Sequence, residues 1–162
     1  MIVMGIDPGL AETGWAILTT DKGINGSALV ECGCIKTKSN ELLTGRLLAI
    51  FRELDALIKK FNPGVVCLEK QFLINNTNTV LATSQARGVI LLAAAINDRQ
   101  VVEYSPKAVK VAVTGSGAAG KEQVRDMVKR ILGVKVICGP LDVSDAVAVG
   151  ICHVNSSPRY IK

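Results

Sequence analysis

The stretch Ile2-Val-Met-Gly-Ile6, followed by Asp7-Pro-Gly9, decides how the rest of the chain is read. An uncharged apolar run that ends on a carboxylate and a turn dipeptide describes a buried strand stopping at an acid. Thr13–Thr20 and Ala28–Thr37 read as two further strands. Between them Asp21-Lys22-Gly23 and Asn25-Gly26 supply the residues that two-residue hairpin turns need. Residues 1–37 are therefore expected to form a three-stranded antiparallel meander.

Downstream the period changes. Leu43, Leu47, Phe51, Leu54, Ile58 and Phe61 recur at helical spacing, so a helix is expected over Asn40–Phe61, stopped by Pro63-Gly64. Val65–Leu68 is a second buried strand, and it too ends at an acid, Glu69. Thr79–Asn97 reads as a helix whose centre, Val89–Ile96, is apolar all round. Such a helix is buried on several sides, by the sheet and, as one option, by a partner subunit. Val101–Tyr104 is a last strand. Ser105-Pro106 is an N-cap followed by proline at the first helical position, and this helix ends by Gly115. The loop Gly115–Gly120 leads into a helix over Lys121–Leu132 that Gly133 stops, and Asp142–Asn155 forms the final helix. Three strands in hairpins, then strand–helix–strand–helix, make an α/β domain over 1–156 with a mixed five-stranded sheet flanked by helices. Residues 157–162 are expected to be a loose tail.

The 162 residues are 49% hydrophobic and 20% charged, with mean hydropathy +0.35. That composition excludes global disorder and suits one domain. No apolar run approaches the ~20 residues that span a bilayer, and no basic targeting segment opens the chain. A cytoplasmic protein without a membrane partner is expected. Five cysteines without a Cys-x-x-Cys pair, and one histidine, argue against a zinc site and a disulfide framework. They read as small core residues. The net charge of +5 has one source. Residues 99–135 hold eight Lys/Arg against three acids, while 1–98 balance nine against nine and 136–162 two against two. Clustered positive charge fits a polyphosphate partner, although a solvated helix face has the same composition.

Asp7 and Glu69 each end a short apolar strand, where a carboxylate seldom serves the core because burying it unpaired costs several kcal/mol. If those strands are neighbours, both acids meet at one sheet edge. Asp142 and Asp145 are three apart at a helix start and share a face, where helix capping is the alternative role. Carboxylates ~4 Å apart repel by about 4 kcal/mol at an effective dielectric near 20. Divalent cations relieve that repulsion. Mg²⁺ prefers carboxylate and water, and two ions ~3.5–4 Å apart clamp both oxygens of a phosphodiester displacement. The constellation points to two-metal phosphodiester hydrolysis.

On these residues the chain resembles the RuvC family of Holliday-junction resolvases. The resemblance rests on Gly5-Ile-Asp7-Pro-Gly9 with Thr13-Gly14, Glu69-Lys-Gln-Phe72 and Ser84-Gln-Ala-Arg-Gly88. It continues through Glu103-Tyr104, Val109-Lys110, Gly115-x-Gly117-x-x-x-Lys121 and Asp142-x-x-Asp145-Ala146, in order over almost the whole chain. It implies an RNase H-like fold and a homodimer that makes paired nicks in a four-way DNA junction, leaving 5′-phosphates. It also implies two Mg²⁺ ions per site, replaceable by Mn²⁺, held by Asp7, Glu69, Asp142 and Asp145. A branch-migration motor of the RuvA and RuvB type is the implied partner.

Lys110 and Lys121 match basic residues that the family uses near the scissile strand, and Lys107 and Arg125 are expected to add phosphate contacts. Phe72, in a polar loop, matches a position that stacks on an unpaired base, worth ~1–3 kcal/mol; anchoring the loop in the core is the alternative. Gly115-x-x-x-x-Gly120-Lys121 nearly spells a phosphate-binding loop, but Glu122 replaces the required Ser/Thr and a helix precedes it. His153, eight residues past Asp145 on roughly the same helix face, either backs the acids or packs in the core or at the surface. Trp15 is read as a core residue. The competing functions are an RNA nuclease of the related YqgF type, a non-catalytic DNA-binding module, and an actin-like ATPase. The last would need two such domains.

Overall fold

The computed structural model describes residues 1–20, 28–70, 77–137 and 139–156, with the side chains of 77–79 excepted. The hairpin turn expected over 21–26, Cys138 and the tail 157–162 lie outside the described residues. The strands are β1 (Ile2–Asp7), β2 (Glu12–Thr19), β3 (Ala28–Lys36), β4 (Val65–Glu69) and β5 (Gln100–Tyr104). The helices are α1 (Leu43–Phe61), α2 (Thr77–Ile96), α3 (Pro106–Thr114), α4 (Lys121–Leu132) and α5 (Leu141–Ser156). The sheet runs β3-β2-β1-β4-β5. β1, β2 and β3 pair antiparallel, and β4 joins β1 and β5 in parallel. The meander and the mixed five-stranded α/β sheet are thus as expected.

Both faces of the central strands are covered, which is why they read as unbroken apolar runs. Met4, Ile6, Ile17, Val66 and Leu68 point toward a core shared with α1 and α2. Their alternates Val3, Ala16, Leu18 and Cys67 point into a second core with α3, α4 and α5. Trp15 is buried, as expected, and lies over its register partner Gly33, where a Cβ would come 2.8 Å from the indole.

α5 lies directly on β1 and β2, and glycines make that possible. A Cβ on Gly5 would overlap the carbonyl oxygen of Ala146, and one on Gly14 would overlap that of Asp142. The bare strand surface lets the helix backbone approach the sheet backbone closely. This fixes the first turn of α5 against the C-terminal end of β1.

Two helices depart from expectation. α1 starts at Leu43 rather than Asn40, because the preceding residues form a turn closed by Glu41 N–H to Lys38 O at 3.1 Å. Leu43 is consequently exposed, and the buried face is Ile50, Leu54 and Ile58. α2 is not buried all round within the chain. Ala86, Ile90, Ala93 and Ala94 are buried, whereas Leu81, Leu92 and Ile96 are 60%, 54% and 56% exposed. α4 has the expected bounds, with Gly120 before it and Gly133 at φ 67° after it. Cys67 and Cys152 are buried, as expected of small core residues, whereas Cys32 and Cys34 on the outer strand β3 are only half-buried against that core. No helix among the described residues is long and apolar enough to cross a membrane.

Candidate active site

Parallel pairing of β1 with β4 places Ile6 beside Leu68. Asp7 and Glu69, the next residue of each strand, therefore close neighbouring strands at one sheet edge. Both belong to the strands rather than lying just past them. The first turn of α5 brings Asp142 and Asp145 to the same edge. One carboxylate oxygen from each of Asp7, Asp142 and Asp145 lies within 4.8 Å of the others, so the three could hold one cation. Glu69 is outside this triad but borders it closely enough for its charge to act on Asp7.

Crowding and burial make Asp7, Glu69 and Asp142 reluctant to ionise. Asp7 is pushed up to about 8, chiefly by burial, then by the charges of Asp145, Asp142 and Glu69. Burial also raises Glu69, with a contribution from Asp145, while Lys121 and Lys110 pull it back. Asp142 is raised by burial and then by Glu12. The donors are all hard carboxylate oxygens with no thiol or imidazole among them, a set that suits Mg²⁺ or Mn²⁺ rather than zinc. The residues present fit the implied divalent cations.

Lys121 sits at the mouth of the cluster. Its Nζ is 3.3 Å from Asp145 Oδ2, and that carboxylate raises the ammonium above its ordinary value. Lys110 acts on Glu69 from α3. The stem of Lys107 packs along Gly117, where a Cβ would come 2.8 Å from Lys107 Cγ. Arg125 is half-buried on α4, with its Nε out of solvent. Phe72 lies outside the described residues. The loop 115–120 follows a helix, not a strand, so it is no nucleotide-binding loop. His153 lies two turns along α5 from Asp145 and is 9% exposed. Its Nδ1 shares a 2.8 Å hydrogen bond with the Tyr104 hydroxyl, so it packs in the interior.

Glu12 is a site residue that the sequence reading missed. It opens β2 on the near side of the Pro8-Gly9 turn, which the Thr13 hydroxyl closes by donating to Gly9 O at 2.6 Å. Lys36 pairs with Glu12 at 2.9 Å and lowers it, and the Glu12 carboxylate in turn raises Asp142. The tightness of the β1–β2 turn was the available signal.

The family model described as crossover junction endodeoxyribonuclease RuvC matches residues 3–153. A protein of that name from Pelotomaculum thermopropionicum is 47% identical over 155 residues, covering 96% of this chain and 93% of its own. One from Natranaerobius thermophilus is 44% identical over 153 residues, covering 94% of each. The structure of Thermus thermophilus RuvC superposes with a TM-score of 0.87 at 32% identity, covering 96% of this chain and 94% of that one. The same protein in complex with a Holliday junction substrate gives 0.88 at 31%, covering 94% and 92%. A carboxylate cluster at the sheet edge, on this fold and at this similarity, leaves one assignment: the chain belongs to the RuvC family of crossover junction endodeoxyribonucleases.

Proposed function

We propose that the protein is a divalent-metal-dependent endonuclease that resolves four-way DNA junctions by paired nicks. The observation that carries this reading is the convergence of Asp7, Asp142 and Asp145, with Glu69 beside them, at the end of β1 and β4. When bound there, two Mg²⁺ ions supply the charge neutralisation and Lewis acidity for phosphodiester hydrolysis. Asp7, Asp142 and Asp145 hold them, and Glu69 completes the set. Lys121 and Lys110 hold the scissile strand over the acids, and Lys107 and Arg125 extend the phosphate track. Phe72 stacks on a base at the junction.

The reading includes a homodimer. Its support is the outward face of α2, where exposed Leu81, Leu92 and Ile96 lie at helical spacing around Gly88, over which there is open space. A monomer seldom leaves such a face uncovered. Family membership supports a branch-migration motor as the partner and the cytoplasm as the place of action. Incubation of a synthetic four-way junction, a linear duplex and a structured RNA with the protein tests this function. Two symmetric nicks in the junction, dependent on Mg²⁺, support it; preferential cutting of the RNA would favour the YqgF-type alternative.

A further inference from the structure

Arg46 lines the carboxylate cleft without belonging to the acidic cluster. The cleft, of about 540 Å³, is bounded by Asp7, Gly9, Glu12, Asp142, Arg46 and Thr83, among others. Arg46 enters it from the first turn of α1, on the wall formed with α2. Its Nε donates to Thr37 Oγ1 at 2.8 Å, and the Thr37 hydroxyl donates to Leu10 O at 2.5 Å. A neutral relay thus ties the guanidinium to the turn that follows Asp7. Among the described residues Arg46 makes no ion pair, although three acids line the same cleft. Glu12 is taken by Lys36. Lys121 pairs with Asp145 and also acts on Asp7 and Asp142, and Lys110 acts on Glu69, but neither lysine lines this cleft. Among the described residues that line the cleft, Arg46 is the one cation, held in place and without an ion-pair partner.

A polyanionic strand entering a cleft of carboxylates needs positive charge on that wall. The planar guanidinium fork matches a phosphate in two-point geometry, and among the described residues one of its five donors is engaged. We propose that Arg46 grips a backbone phosphate of the cleaved strand next to the scissile one, with Thr37 as the positioning residue that aims it. The inference rests on the nuclease reading above and adds a residue to it.

Junctions carrying one neutral methylphosphonate at each position flanking the cut test the contact. At the gripped position, the neutral linkage slows wild-type nicking by about tenfold to a hundredfold, the scale of a lost positioning contact. Arg46→Ala slows the unmodified junction by a similar factor, and the two changes together cost no more than either alone. Additive losses at every position overturn the proposal. Thr37→Val reproduces part of the loss and Thr37→Ser does not; equal rates for Thr37→Val and wild type overturn the positioning role. Arg46→Lys, which keeps the charge and the helix, falls between wild type and Arg46→Ala. Metal-free junction binding separates this inference from its premise. Its log–log salt slope falls by about one in Arg46→Ala. An unchanged slope overturns the contact even if wild type cuts. A lowered slope with an inactive wild type supports the contact and sinks the nuclease reading alone.

Discussion

Gly14 and Asp142 touch backbone to backbone: a Cβ on the glycine would overlap the carbonyl oxygen of the aspartate. Gly14 is also the register partner of Asp7 across the β1–β2 pair. One strand position therefore seats the helix that brings two carboxylates to the third.

Gly14→Ala tests this seating. The methyl group displaces the start of α5, and overpacking of this kind costs about 1–3 kcal/mol. The expected outcome is a folded protein with a lowered denaturation midpoint and a much larger loss of junction cleavage. Thermal denaturation beside a nicking assay checks it. Full cleavage by a destabilised Gly14→Ala would show that the acids do not depend on this contact.

Asp7→Asn removes a charge from the centre of the cluster while preserving shape. Junction binding is expected to persist and cleavage to fall by more than the ~100-fold typical of altering a residue that only supports a metal ligand. Gel-shift and single-turnover assays on one preparation separate the two effects. A variant that cuts within tenfold of wild type would remove Asp7 from the proposed site.

Asp7 also sets a pH dependence in metal-free protein. Its carboxyl sits near 8 in the fold against 3.8 in an ordinary setting. Between those values the folded state keeps a proton that the unfolded chain has released. Stability from this group is thus complete below about pH 4 and lost as pH rises through 8. Asp7→Asn escapes the loss and should be more stable than wild type at pH 8 by roughly 2–4 kcal/mol, and little different near pH 4. Urea denaturation in chelator at the two pH values measures it. Added Mg²⁺ should stabilise wild type at pH 8 and leave Asp7→Asn almost unmoved.

The outward face of α2 predicts the oligomeric state. Leu92→Glu with Ile96→Glu places two charges on the apolar stripe and should convert a dimer to a monomer, read by sedimentation equilibrium. A monomer can nick one strand but not two in concert, so nicked junctions should accumulate over resolved duplexes. An unchanged sedimentation mass would move the dimer interface elsewhere.

The architecture was legible where local chemistry decides it. Turn residues flanking short apolar runs marked the meander, Gly120 and Gly133 bounded α4, and acids ending β1 and β4 announced a shared sheet edge. Legibility failed where tertiary packing decides. Asn40 belongs to a turn that competes with the helix, so α1 begins later. The apolar centre of α2 did not reveal which side would lack a cover. Glu12 joined the site only through the tightness of the β1–β2 turn. Arg46 did so only because Thr37, nine residues before it, reaches across to Leu10.

Mn²⁺ titration, followed by calorimetry on wild type and on Asp7→Asn, Asp142→Asn and Asp145→Asn, reaches the central claim most directly. The account requires binding by wild type and a marked weakening in every variant, since one cation cannot be held by two of three converging ligands as well as by all three. Equal affinity across the four proteins would mean that these carboxylates do not form a common cation site.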